Sequence, residues 1–353
     1  MEQNISNNRI MKFTNKKQNL KSIVFARAFS TLGIVIFHYF AHANGNFRIY
    51  LTTANSDIGL MLVTTFYCIS GTVLLYNYPK IKFLKSFYYK RWKSLLPSYY
   101  ISTLYFYISV SFISHELIYK GPWIKLIFNV FGLDGYLLHS YRVKAFNLVG
   151  EWFLGSIIII YILYPLLCFL MNINMLIINF IICIGYYLMY QMNMDKIVIH
   201  ERNIITCINS FYFGMIAIKF KRIFFENRII LAFSAVILVI LSFFKINTSF
   251  VLVRQIQGFS LYIFLVQIGE FIMNKGYKLI YIINGLSFSI FLYHHRIIMD
   301  ALSIYNPNKI HLHILFLNIV IILIIISSKV HESSVNYILK TKIFKILDSF
   351  FIK

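Results

Sequence analysis

Ten apolar runs, each of roughly 20 residues, occupy most of this sequence. Such a run is long enough to cross a bilayer as an α-helix, and backbone groups in lipid must form their hydrogen bonds within their own segment. The chain of 353 residues is 59% hydrophobic and 13% charged, whereas an ordinary soluble domain is about 25% charged. The sequence therefore predicts an all-α, polytopic membrane protein with about ten transmembrane helices, and it excludes a soluble globular domain. The predicted spans are 23–42, 58–77, 95–114, 152–171, 174–191, 204–220, 228–245, 250–269, 281–300 and 310–328.

Basic residues are distributed unevenly between the segments that join these spans. The chain has 34 Lys+Arg and 12 Asp+Glu, for a formal net charge of +22. If the N-terminus is cytoplasmic, 22 of the 34 basic residues fall on inside segments and nine on outside segments, as the positive-inside rule requires. Both termini are therefore predicted to be cytoplasmic, with a basic segment 1–22, one membrane domain 23–328 and a basic tail 329–353. The distribution explains the charge excess without nucleic acid, so the lipid bilayer is the predicted partner.

The first predicted span carries two ionisable side chains, Arg27 and His38. Charge in a bilayer core costs about 2.5–3.5 kcal/mol on insertion scales and usually marks function. Eleven residues separate the two positions, which is close to three helical turns, so both lie on nearly one face and about 16 Å apart. Taken singly, Arg27 can snorkel to headgroups and His38 can cap a neighbouring helix. Together on one face, they favour a polar path through the membrane.

The loop 78–94 holds six basic residues interleaved with aromatic residues, and the next helix is predicted to begin near Pro97. Orientation charge and an aromatic belt explain most of this loop. A second interpretation is a phosphate site, because Arg91 and Lys93 would lie beside a helix N-terminus, where the dipole and free N–H groups favour anions.

Five further polar or aromatic positions are candidates. Ser70 lies in the middle of the second span, where small-residue helix packing is the alternative. Glu151 and Trp152 would lie at the outer boundary, where a solvated carboxylate and an interface anchor are the favoured interpretations. His294 and His295 are adjacent and cannot share one helix face, so one of them is expected to face the bundle interior. No metal site is predicted from this pair.

Five short motifs follow one another between about residues 23 and 300. They are the pair Arg27 and His38, "GLMLVTTFYCISG", "FYYKRWKSLLPSYY", "GEWFLGSIIIIYILYP" and "GLSFSIFLYHH". Their order, together with the ten predicted helices, resembles the acyltransferase-3 family of integral-membrane O-acyltransferases, in particular members that modify polysaccharides such as O-antigen.

The resemblance implies an acyltransferase of the bacterial inner (cytoplasmic) membrane. It would move an acyl group, most often acetyl, from cytoplasmic acyl-CoA to a hydroxyl of a cell-surface polysaccharide or its lipid-linked precursor. Acetyl-CoA would be a donor substrate, with no permanently bound cofactor and no metal.

The resemblance also implies roles for particular residues. Arg91 and Lys93 would hold the phosphates of CoA, and the pantetheine arm would pass Arg27. His38 would take the proton of the acceptor hydroxyl, with an acyl-histidine intermediate as the less favoured alternative, and Glu151 would orient a histidine. Substrate contacts are implied for Ser70, Trp152, His294 and His295.

Two other classes of protein share this composition. A polysaccharide polymerase would carry a large outer loop with several arginines or carboxylates, whereas the predicted outer interval 115–151 contains a single arginine, Arg142. A flippase would line its cavity with cations, and only Arg27, Arg254 and Arg296 lie within predicted spans. A secondary transporter would show paired broken helices in inverted halves, and no such symmetry is visible.

Overall fold

The computed structural model describes residues 21–45, 47–114, 123–141, 149, 152–194, 197–246, 251–273 and 276–352. These residues form α-helices and short 3-10 turns, with one isolated β-bridge between Thr52 and Asp57. The helices are α1 (Lys21–His42), α2 (Ile58–Asn77), α3 (Leu84–Ser114), α4 (Leu126–Val130), α5 (Asp134–Tyr141), α6 (Trp152–Ile173), α7 (Met175–Gln191), α8 (Ile204–Lys219), α9 (Lys221–Phe224), α10 (Arg228–Phe243), α11 (Val251–Met273), α12 (Lys278–Ile304), α13 (Ile310–Leu339) and α14 (Lys342–Phe351).

Each of the ten predicted apolar runs corresponds to one of these helices, although the runs 174–191, 204–220, 228–245 and 250–269 extend one or two residues past the helix bounds. Five of them, α1, α2, α6, α11 and α13, are long and apolar enough to cross a membrane, and α7, α8 and α10 are shorter apolar helices. The helical prediction is therefore confirmed for the described residues, and the helices fit a multi-pass membrane protein. The number of spans and the sides of the termini stay predictions.

The third helix begins earlier than the sequence pattern predicts. It starts at Leu84 and contains Pro97 in its interior, whereas the apolar run predicts a start near residue 95. The early turns are amphipathic: Phe87 is buried and stacks on Tyr164 of α6, with ring centroids 5.5 Å apart. The basic residues of this stretch therefore lie on a packed helix. Arg91 is about two turns inside it, so a phosphate site at a free helix N-terminus is wrong for this position.

Two glycines allow α2 and α8 to cross at backbone contact distance. A Cβ atom on Gly71 would lie 1.9 Å from the carbonyl oxygen of Phe211, and one on Gly214 would lie 1.9 Å from that of Cys68. Thr72 Oγ1 donates a hydrogen bond of 2.8 Å to the carbonyl oxygen of Gly214. Small residues let membrane helices approach closely, and this contact fixes the rotation of α2 about its axis.

The predicted tail 329–353 continues the helical domain. Its first residues complete α13, and the remainder forms α14, which packs on α3. Lys93 Nζ contacts both carboxylate oxygens of Asp348 at 2.7 Å, and Tyr89 donates a hydrogen bond to the same carboxylate. The Lys93 ammonium holds the pKa of the Asp348 carboxyl below its usual range. A boundary at residue 328 therefore falls inside α13 and separates no structural unit.

Candidate active site

A cavity of about 370 Å³ lies between α1, α2, α3, α6 and α12. Cavities that bind small molecules have volumes of about 300–1,000 Å³, with mostly apolar walls and a few polar groups. Aliphatic and phenylalanine side chains form most of the wall here. The polar, charged and indole or phenol-bearing lining residues are Arg27, Thr31, His38, Ser70, Arg91, Ser94, Trp152, Tyr161, Asn284, Ser287 and His294.

The polar groups lie at two ends of the cavity. We call the part lined by Arg27, Arg91 and Asn284 the basic end, and the part lined by His38 and His294 the histidine end. Arg91 bonds to Tyr78 just after the C-terminus of α2, whereas the N-terminus of α2 lies against Phe37, next to His38. The rings of His38 and His294 are in contact, with centroids 5.1 Å apart. Arg27 precedes His38 by eleven residues and Asn284 precedes His294 by ten, so α1 and α12 run in the same direction along the cavity. At about 1.5 Å per residue, the two ends are about 15–16 Å apart.

Arg27 differs from the other two arginines of the predicted spans in its surroundings. Arg254 forms an ion pair with Glu201, and Arg296 forms one with Asp300 at 2.9 Å. Among the residues that the structure describes, no carboxylate pairs with the Arg27 side chain. A guanidinium in a medium of low dielectric constant is costly unless it is paired. The cavity therefore suits a ligand that brings an anionic or strongly polar group to the basic end.

Two further polar atoms at the basic end have no hydrogen-bond partner in the described part of the chain. Arg91 donates one hydrogen bond from a terminal nitrogen to the hydroxyl of Tyr78 at 3.2 Å, while its buried Nε has no partner among the described residues. The side-chain carbonyl oxygen of Asn284, Oδ1, is also buried and has no hydrogen-bond partner among the described residues. Buried polar atoms are nearly always hydrogen-bonded. An N–H donor and a carbonyl acceptor that line one cavity therefore indicate a ligand carrying both kinds of group.

The histidine end contains a ring with a defined tautomer. His294 is 1% exposed, and its Nδ1 lies 2.9 Å from the carbonyl oxygen of Phe291 and 3.1 Å from that of Ile290. A carbonyl oxygen only accepts, so Nδ1 carries the proton, and Nε2 of the neutral ring has a lone pair. His38 lies between this ring and His295, whose centroid is also 5.1 Å away. Of the adjacent pair, His294 is buried and lines the cavity, whereas His295 is partly buried and does not line it, as expected for neighbours that cannot share one helix face.

The other predicted site residues are divided between the cavity and its surroundings. Ser70 and Trp152 line the cavity, and the Arg202 guanidinium lies over the Trp152 ring, 5.6 Å from its centroid. Trp152 is 7% exposed, so it belongs to the cavity wall more than to a lipid-facing belt.

Lys93 does not line the cavity and instead pairs with Asp348, so its role toward the donor stays a prediction. Glu151 lies outside the described residues.

Sequence reasoning did not single out three residues that the fold brings to the site. Asn284 is an amide in an apolar run, ten positions before His294, and this position could have marked it. Tyr161 lies on α6 nine residues after Trp152, but tyrosines are too common in this chain to be informative singly. His42 follows His38 by four residues, which places both on one face of α1; its Nε2 lies 3.0 Å from His295 Nε2.

Comparison with known proteins supports the resemblance seen in the motifs. A family model described as an acyltransferase domain, that of the acyltransferase-3 group, matches residues 20–328. No curated protein and no solved structure gives a significant match. The matched range contains all five helices that enclose the cavity. This chain is therefore a member of the acyltransferase-3 family of membrane acyltransferases.

Proposed function

We propose that this protein is an O-acyltransferase of the cytoplasmic membrane. It transfers an acyl group, with acetyl as the expected one, from cytoplasmic acyl-CoA to a hydroxyl of a cell-surface polysaccharide or its lipid-linked precursor. The observation that carries the proposal is a single cavity that connects an arginine-lined end to a histidine-lined end.

The basic end suits the donor. Arg91 is placed to bind a phosphate of CoA through its side chain, since a guanidinium recognises phosphate through two parallel donors. The acyl-pantetheine arm carries amide N–H and C=O groups and fits a cavity with apolar walls. Asn284 Oδ1 would accept from an amide N–H of this arm, and Arg27 would donate to one of its carbonyl oxygens.

The histidine end suits the chemical step. His38 accepts the proton of the acceptor hydroxyl as the oxygen attacks the thioester carbonyl carbon. The new C–O bond forms, the C–S bond breaks, and CoA leaves as a thiolate that receives the proton. His294, held by its bonds to the α12 backbone, keeps the rotation of the His38 ring within narrow limits. Trp152 and Ser70 are the proposed contacts for substrate along the wall.

The alternative functions receive less support from the contacts. A flippase or polymerase would use unpaired cations, yet Arg254 and Arg296 are engaged with carboxylates in the described part of the chain. Of the three arginines in predicted spans, Arg27 alone has no carboxylate partner among the described residues, and it lies in the same cavity as the histidines.

Loss of the gene is expected to remove a base-labile ester from the surface glycan. The measurement is the amount of acetyl released from purified glycan by mild alkali, in cells with the gene, without it, and complemented with the parent protein. Glycan chain length should be unchanged. Shortened chains with an unchanged ester content would contradict acyl transfer and favour a polymerase.

Arg91→Ala is expected to raise the KM for acyl-CoA about tenfold or more, because a hydrogen bond to a charged group is worth about 1.5–3 kcal/mol. Steady-state kinetics with acetyl-CoA as the varied substrate would measure this. The control is Lys90→Ala, which removes one positive charge from the same turn of α3 at a residue that does not line the cavity. If Arg91 acts by direct contact with the donor, the KM of this control should stay within about twofold of the parent value.

The same assay separates two roles for Lys93. A raised KM in Lys93→Ala would support the predicted phosphate contact, whereas an unchanged KM with a lower melting temperature would assign Lys93 to the α3–α14 contact alone. An unchanged KM in Arg91→Ala would remove Arg91 from the donor site.

A further inference from the structure

Three histidines converge beside the histidine end of the cavity. His38 and His42 lie one turn apart on α1, and His295 reaches them from α12. One ring nitrogen from each histidine lies within 4.8 Å of the others, and the two Nε2 atoms of His42 and His295 are 3.0 Å apart. We propose that His38, His42 and His295 form a binding site for a transition-metal ion of the Zn²⁺ class.

The distances are close to those that such an ion requires. Zn–N bonds are about 2.0–2.1 Å long, so tetrahedral nitrogen ligands lie about 3.3 Å from one another. The His42–His295 pair is within a few tenths of an ångström of this separation, and a ring nitrogen of His38 lies within 4.8 Å of both. The rings of His38 and His42 are nearly parallel, at 14° with centroids 6.5 Å apart, as expected for positions four apart on one helix.

The chemistry of the cluster selects the class of ion. Imidazole nitrogens suit Zn²⁺, Cu²⁺ and Ni²⁺, whereas Mg²⁺ and Ca²⁺ require oxygen ligands. Three protein ligands leave one tetrahedral position for water or another small ligand. His42 is exposed, while His38 and His295 are partly buried, so an ion can enter from solution past His42 and reach the other two ligands.

Occupation of the site would change the state of His38. A ring nitrogen that coordinates an ion has no lone pair with which to accept a proton, so the bound metal would inhibit acyl transfer. This consequence rests on the proposed function, because it requires His38 to be the proton acceptor. The metal site itself stands independently of that role.

Metal binding is tested on the full-length protein purified in detergent and freed of metal with a chelator. Co²⁺ is the probe, since its visible absorption reports tetrahedral nitrogen coordination, and Zn²⁺ is then added as the competitor. We expect one equivalent of Co²⁺ to bind, Zn²⁺ to displace it, and Mg²⁺ to have no effect. An absorption spectrum that stays that of hydrated Co²⁺ would overturn the site.

Two ligand variants and a matched control define the residues. Loss of a supporting residue outside the ligand set costs about 10–100-fold in affinity, so His42→Ala and His295→Gln should each weaken Zn²⁺ binding by at least that factor. His311→Ala removes an exposed histidine at the start of α13, outside the cluster, and should retain parent affinity. Elution volume and helical content must match the parent protein in all three. Parent affinity in a folded His42→Ala protein would overturn the proposal.

Activity measurements separate the metal site from the proposed function. Acyl transfer is assayed with chelator and with increasing Zn²⁺, each variant being normalised to its own metal-free rate. We expect Zn²⁺ to inhibit the parent protein and His311→Ala at the concentration that fills the site, and His42→Ala to need at least about tenfold more. Activity that is lost with chelator and restored by Zn²⁺ would support the site but overturn His38 as the proton acceptor. Inhibition without binding at these histidines would overturn the site and leave the acyltransferase proposal standing.

Discussion

Replacing His38 with alanine is expected to lower the rate of acyl transfer by about 10²–10⁴-fold, the usual contribution of a positioned general base. The physical reason is that the acceptor hydroxyl must lose its proton as it attacks. His38 lines the cavity and contacts the rings of His294 and His295. The measurement is the initial rate of acetyl transfer from acetyl-CoA, with chelator present so that a bound metal contributes nothing. The KM for acetyl-CoA should change little, because His38 lies at the end of the cavity away from Arg91.

The control for this variant is His311→Ala, an equivalent substitution at an exposed position outside the cavity. It should retain the parent rate. Both variants should reach the membrane in parent amounts, which separates a chemical defect from a folding defect. Parent-like activity in folded His38→Ala protein would overturn the proposed mechanism, while the family membership would stand.

Replacing Gly71 with alanine is expected to destabilise the whole helical domain. The new Cβ atom would lie 1.9 Å from the carbonyl oxygen of Phe211, and this neighbour is backbone, which cannot rotate away as a side chain does. Over-packing typically costs about 1–3 kcal/mol and occasionally more, and a backbone clash of this depth belongs at or above the upper end. The measurement is the melting temperature and the monodisperse fraction in detergent.

Activity in the Gly71 variant should fall with stability. To relieve the clash, α2 must move away from α8, and it carries Ser70 and other cavity-lining residues with it. The matched control for stability is Gly285→Ala on α12, where an added Cβ atom meets nothing within 4 Å; because Gly285 lines the cavity, its activity is not the comparison. Alanine in a helix is favoured over glycine by about 0.5–1 kcal/mol, so this variant should melt at the parent temperature or above. Equal melting temperatures for the two variants would contradict the assigned α2–α8 contact.

The helices could be predicted from the sequence to a large extent, because the signal is local. A long apolar run forms a helix in lipid whatever its neighbours are, since no other partner exists for its backbone groups. The exception is the start of α3, where residues 84–94 are basic and aromatic and lack a uniform apolar run. Phe87 in this stretch is buried against Tyr164 of α6, a residue far away in sequence.

The site could be predicted only where its residues share one helix. Arg27 and His38 lie on one face of α1 by spacing alone, and the cavity contains both. Arg91 and Lys93 have the same charge and are two residues apart, yet one lines the cavity and the other contacts Asp348. Their separation follows from the rotation of α3 against α6 and α14, which local sequence does not encode.

The sequence by itself determined the membrane class, the helical segments and the polar face of α1, because these depend on composition and on the period of a single helix. The tertiary structure decided which charges remain without a carboxylate partner, and which histidines meet. Arg254 and Arg296 are paired, whereas Arg27 has no carboxylate partner among the described residues. The sequence pattern does not mark His42 as a site residue. It lies within ligand distance of both His38 and His295 only because α12 packs beside α1. These outcomes depend on distances between helices that are far apart in the chain, and only packing sets those distances.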